Sequence, residues 1–256
     1  GIEVEAEGVK GFINPWQVPG SWVMKEDGSL KERGLEFVTV PIRFRYIEVE
    51  LNRLFGVIPK ADFSPRTSIH VHMNARDFTE QELFKFLILY LIFERRMYSA
   101  SGDRWNNNFC MPVQNNPNMV ASAMKRLISG GYDYYDWCKY YSLNILPLCG
   151  EEGANYRIGT VEFRHMAGTN SIPKIMNWCN LIIRLKIAAK SISLETLIDM
   201  LKGGHVHTSL FAHRVFKEWI ALIWDGQAET IREIKDGALV AKICLNLAGF
   251  LDKDTL

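Results

Sequence analysis

An α+β fold is expected, on three observations. The first half of the chain holds period-two stretches that put carboxylates and imidazoles on one face; a strong helical signal follows residue 79; and from residue 171 the pattern is helical throughout. Residues 1–8 alternate Ile2, Val4 and Ala6 with Glu3, Glu5 and Glu7, so three carboxylates share one strand face at an electrostatic cost. Residues 18–25 and 35–40 read as strands flanking the Asp27-Gly28-Ser29 turn, with Pro41 closing the second, a hairpin-like unit. A short helix is expected over 47–55. Residues 67–74 form a strand on which Ser68, His70, His72 and Asn74 share a face.

Asp77-Phe78-Thr79 supplies a helix N-cap, with Glu80 and Glu82 in the first turn, and the helix runs over 83–98. Residues 101–118, rich in Asn, Gly and Pro, are a loop. Short helices over 119–128 and 132–138 are separated by Gly130-Gly131. Strand patterns return over 140–146 and 160–166, the second with Glu162 and Arg164 on one face. Ser171-Ile172-Pro173 opens a helix that continues over 175–190. Helices over 194–201, 209–224, 228–234 and 238–247 follow, a C-terminal helical appendage. The expected division is a catalytic domain over 1–190 and the appendage over 191–256, a boundary marked by change of pattern alone.

In a chain of 256 residues, 48% apolar residues suffice for a substantial core. Thirty basic residues against twenty-nine acidic ones leave a net charge of +1, so no long-range field draws nucleic acid or an anionic membrane to the chain. The five cysteines are odd in number and hold no CxxC pair, which argues against a disulfide framework and a zinc knuckle and for a cytoplasmic location. No run reaches the roughly 20 apolar residues of a membrane span; the strongest, 84–93, ends in Glu94-Arg95-Arg96 and reads as a buried helix. The chain opens at Gly1 in strand-like sequence without an initiator methionine, so a few preceding residues are expected.

Four strands thus present acidic or imidazole groups: Glu3/Glu5/Glu7, Glu36, His70/His72 and Glu162/Arg164. One face cannot hold so many carboxylates ionised without cations, because like charges and burial both raise a carboxyl pKa. Oxygen-rich ligands favour Mg2+, with Mn2+ as an alternative, and Mg2+ held by carboxylates commonly keeps positions for phosphates.

The residues resemble the amidoligases of the glutamine synthetase and glutamate–cysteine ligase superfamily, which join a carboxylate to an amine using ATP. The resemblance rests on Gly1-Ile2-Glu3-Val4-Glu5; on Trp22, Asp27-Gly28-Ser29-Leu30 and Gly34-Leu35-Glu36-Phe37-Val38; on His70-Val71-His72; and on Gly159-Thr160-Val161-Glu162-Phe163-Arg164 with Gly168-Thr169. It implies a glutamine-synthetase-like antiparallel sheet with helices packed on one face. Glu3, His70 and Glu162 would hold the metal of the nucleotide phosphates, and Glu5, Asp27 and Glu36 a metal nearer the acyl-phosphate side. Arg164 would neutralise the transferring phosphoryl group, with His72 close to a phosphate or the nucleotide. Glu94, Arg104, Lys139 and Asn144 also fall at positions the resemblance marks, Arg104 first among them as a catalytic substrate contact and Lys139 as a contact to the nucleotide. The implied partners are a small-molecule or peptide carboxylate and an amine, and an oligomer is possible for such proteins. Ser68, where the family often has glycine, and Thr39-Val40-Pro41 depart from the pattern without removing a ligand.

Two other readings stay open: a metal-dependent hydrolase that activates water, and a binding or structural protein that has kept the sheet without turnover. His205-Val206-His207 with His213 has no acidic partner nearby in sequence and reads as a cap or turn. The aromatic run over 132–141 contains Asp133 and Asp136 and reads as packing or a substrate wall rather than a nucleic-acid platform.

Overall fold

The computed structural model describes residues 1–31, 33–130, 136–148 and 158–252. Six strands form one open antiparallel sheet: β1 (Ile2–Ala6), β2 (Trp22–Lys25), β3 (Leu35–Thr39), β4 (Ser68–Asn74), β5 (Leu143–Asn144) and β6 (Thr160–Ala167), in the order β2-β3-β1-β4-β6-β5. Among the described residues the α-helices are α1 (Ile47–Val57), α2 (Glu80–Ser101), α3 (Pro117–Ile128), α4 (Ile172–Ser191), α5 (Leu194–Lys202), α6 (Ser209–Phe216) and α7 (Ala228–Leu247). None is long and apolar enough to cross a membrane.

The two β1 alternations sort the molecule into a core side and an open side. Ile2, Val4 and Ala6 are buried with Phe37, Ile69, Val71 and Phe163. Phe163 meets the rings of Phe86 and Tyr90 from α2 and Trp178 from α4, so these two helices cover the core side of the sheet. Helix α2 is capped as its sequence requires. Thr79 accepts from the Glu82 amide and the Glu82 side chain accepts from the Thr79 amide, a reciprocal pair that satisfies two otherwise orphan donors. At its other end Gly102 takes φ 104°, a left-handed cap that a side chain would strain.

Several expected elements change on folding. The strand over 18–25 shortens to Trp22–Lys25, because the Trp22 amide closes a turn onto the Pro19 carbonyl at 2.8 Å. The strand over 140–146 reduces to Leu143–Asn144. There the Asn144 side chain accepts from the Leu146 amide and, with Pro147, turns the chain into a 3-10 segment over Leu146–Leu148. The helix over 209–224 breaks at Lys217, whose φ is 51°, and continues as a 3-10 segment, Lys217–Leu222. Within the expected helix over 132–138, residues 132–135 lie outside the described residues, and 136–138 are not helical.

The stretches 228–234 and 238–247 join into one helix through Gly237. A Cβ there would lie 2.5 Å from the Ile92 carbonyl oxygen and 2.6 Å from that of Leu91, so the glycine marks close approach of α7 to the α2 backbone rather than a break. The helices after residue 190 therefore share one core with α2 and the sheet.

Candidate metal centre

Antiparallel register decides which side chains meet. Glu3 stands opposite His70, Glu5 opposite Glu36, and His72 opposite Glu162. Directly opposed residues share a face, so acids and imidazoles from β1, β3, β4 and β6 converge on the open side of the sheet. A one-residue slip in any pairing would carry its ligands into the core. Between β4 and β6 the pairs Ile69–Met166 and Val71–Phe163 leave Arg164 and His165 both opposite His70, a bulge beside the site.

Three groups of three side chains bring ligand atoms within 4.8 Å of one another: Glu3/Glu36/His70, Glu3/His72/Glu162 and Glu5/Asp27/Glu36. The last is one of the two sets expected from sequence. Of the other, His70 Nδ1 lies 3.0 Å from Glu3 Oε2 and 3.3 Å from Glu162 Oε1. His72, assigned to nucleotide, instead places Nε2 2.9 Å from Glu3 Oε1 and joins the potential ligands. Glu36 stands between the sets and links them. Glu7 is outside them: Arg66 grips both its oxygens, at 3.0 and 3.2 Å, and the Lys31 amide donates to it.

The electrostatics are those of a crowded acidic cluster. Burial, with the neighbouring Glu3 charge, pushes the Glu36 carboxyl up to about 7. Burial would also raise Glu3, but hydrogen bonds to His70 and His72 and their charges outweigh it and hold this carboxyl well below the usual range. Oxygen-rich sets with one or two imidazoles suit a hard divalent ion such as Mg2+ or Mn2+, so the residues present fit that group.

A cleft of about 590 Å3 is lined by Glu3, Glu5, Asp27 and Glu36 together with the basic Arg66, Arg104, Lys139 and Arg164. Arg164 Nη1 donates to Glu162 Oε1 at 2.5 Å, and Asn144 Nδ2 to the other oxygen at 2.7 Å. Burial alone would lower the Arg164 guanidinium, but the Glu162 charge holds it firmly protonated. A cation taken up at Glu162 would compete with Arg164 for that oxygen. Arg104 is more than nine-tenths buried, its Nε has no hydrogen-bond partner among the described residues, and Nη1 donates to the Arg164 carbonyl at 3.1 Å. Burial lowers its pKa.

Glu94 does not reach the cleft. It lies under the sheet, where its oxygens accept from the Val113 and Gln114 amides, Ser142 and Tyr90. Its work is to hold the 101–118 loop, since the donors come from the end of that loop. The cleft also includes groups that sequence reading passed over as functional: Ser29, Ser68 and the run Asn106, Asn107 and Asn108. Ser68 had been visible as a departure from the resemblance, and the asparagines as loop composition. His205, His207 and His213 join no metal-capable group among the described residues.

No family model, curated protein or solved structure matches the chain. Fold and site define it as an α+β protein with an open antiparallel sheet whose uncovered face carries an acid-and-imidazole cleft.

Proposed function

We propose that the chain is an ATP- and Mg2+-dependent carboxylate–amine ligase with a glutamine-synthetase-like sheet. One observation carries the reading: carboxylates and an imidazole from β1, β3, β4 and the 27–29 turn line one cleft together with Arg66, Arg104, Lys139 and Arg164, and Glu162 and His72 stand beside it within ligand distance of Glu3. That mix of charges suits a substrate which is itself anionic and arrives with a phosphate chain. Glu3, His70, His72 and Glu162 would hold one divalent ion and Glu5, Asp27 and Glu36 another; bound there, the ions would neutralise phosphate charge.

The remaining work falls to the chain's own residues. Arg164, released from Glu162, binds the transferring phosphoryl group through its two-pronged guanidinium. Arg104 and Lys139 hold the carboxylate substrate and the nucleotide in the cleft, and the asparagine run orients them. A substrate carboxylate oxygen attacks the γ-phosphorus of ATP as the β–γ bridging bond breaks and ADP leaves. An amine then takes the acyl group and phosphate departs. Catalysis here is positioning and charge neutralisation.

The competing reading is a metal-binding protein without turnover, favoured by the Arg164–Glu162 ion pair, which occupies a ligand oxygen. ADP release with Mg2+ over a panel of amino acids, peptides and amines separates them. The ligase requires acid-dependent ADP release that falls by on the order of 100-fold or more in Glu162→Ala. Metal-dependent ATP binding without ADP release in any pairing would establish the competing reading.

A further inference from the structure

Ser68 lies between the two ligand sets, 1% exposed, on the strand that carries His70. Its hydroxyl donates to Glu5 Oε2 at 2.5 Å, the length of a charge-assisted O–H···O⁻ bond. A serine has one hydrogen, and here it is committed to Glu5. The same oxygen lies 2.8 Å from Nε2 of His70. It can meet that nitrogen only as an acceptor, so Nε2 carries the N–H. On the far side of the ring Nδ1 faces Glu3 Oε2 and Glu162 Oε1. With the ring doubly protonated, Nδ1–H donates to them; with the ring neutral and Nε2 holding the proton, Nδ1 is the nitrogen left for a cation.

We propose that Ser68 is a positioning residue: by donating to Glu5 and accepting from Nε2 of His70, it reserves Nδ1 as a metal ligand and ties the two ligand sets together. The inference rests on the metal-centre reading above and adds what that reading lacks, a reason for the ring to present Nδ1. Histidine ligands are commonly fixed in this way through their second nitrogen. The usual partner is a carboxylate or a carbonyl; here a hydroxyl passes on the orientation of Glu5, a member of the other set. A change at Glu5 is thereby felt at His70 across Ser68, and the two ions bind interdependently.

The test uses the full chain labelled with 15N at histidine, together with Mn2+ binding followed by electron paramagnetic resonance. In the wild-type chain His70 Nε2 is expected to be protonated with and without Mg2+, while the Nδ1 resonance moves on Mg2+ addition. Ser68→Ala should weaken Mn2+ binding by about 10- to 100-fold and release Nε2 from its fixed protonation, and Ser68→Thr, which keeps the hydroxyl, should restore both. A bare Nε2 in the wild-type chain, or Mn2+ binding unchanged by Ser68→Ala, would overturn the role of Ser68. A wild-type chain that takes up no Mn2+ would overturn the metal-centre reading itself, so the two failures are distinguishable.

Discussion

Glu94 and Glu36 are both carboxyls that burial drives towards the protonated form, and they sit on opposite sides of the same sheet. Around Glu94 four donors converge, two of them backbone amides, so a fully buried carboxyl is supplied with hydrogen bonds from within the chain. Around Glu36 acids crowd in despite Lys25 on the neighbouring strand, its ligand atom lying within 4.8 Å of those of Glu5 and Asp27, and burial with the Glu3 charge outweighs the lysine. The Glu94 carboxyl is thus satisfied by donors from the chain, whereas the Glu36 carboxyl stands among groups of its own sign.

Neighbouring residues of β6 offer the sharpest contrast. Phe163→Ala should cost about 3–5 kcal/mol in a denaturant melt, because the ring is fully buried against α2 and α4. Glu162→Ala, one residue earlier on the opposite face, should cost less, about 1–3 kcal/mol from the partners it leaves unpaired, while removing metal binding. Equal losses of stability would break the division into two sides.

Glu94→Gln is the next largest change. The amide keeps one acceptor but turns an NH2 group towards donors, which should cost roughly 1–3 kcal/mol and loosen the 101–118 loop without abolishing metal uptake. Loss of Mn2+ binding with stability intact would instead move Glu94 into the cleft chemistry.

The smallest effect carries the opposite sign. Glu36→Gln relieves repulsion on the open side and should stabilise the metal-free chain near pH 8 by up to about 1 kcal/mol, after allowance for solvent screening, while weakening metal binding. Glu36 ionises at about 7 in the fold against an ordinary value of 4.5, so its folded form prefers the proton. Its contribution is complete below pH 4.5 and is lost as pH rises through about 7. His165 works in the other direction. Burial holds it neutral, its pKa lowered from 6.5 to about 3, so its contribution is present above pH 6.5 and is lost as pH falls towards 3. Melts of wild type and Glu36→Gln across pH 4–8 should diverge as pH rises and converge in saturating Mg2+, which takes over the charge of Glu36. Parallel curves would show that Glu36 is not held up by its neighbours.

Period-two alternation made β1 and β4 legible, and it also revealed that their polar residues face one way. The capping box at Thr79 and Glu82 was equally local, since both halves of the bond lie within four residues. Gly237 was misleading because the glycine that ends a helix in sequence and the glycine that admits a neighbouring backbone look alike without that neighbour. Glu94 was misread for a related reason: its donors arrive from residues 90, 113, 114 and 142, and no local pattern announces them.

By itself, then, the sequence determined the α+β class, the alternation that lines up Glu3, Glu5, His70, His72 and Glu162, and the expectation that such a face needs cations. These follow from dihedral period and like-charge repulsion, which act between near neighbours in the chain. Only the tertiary structure decided that His72 reaches Glu3, that Arg164 is held by Glu162, that Glu94 supports a loop, and that Ser68 lies between Glu5 and His70. Those outcomes depend on strand register, on the β6 bulge and on hydrogen bonds between residues as far as 69 positions apart, and register is settled only when the core side of the whole sheet packs.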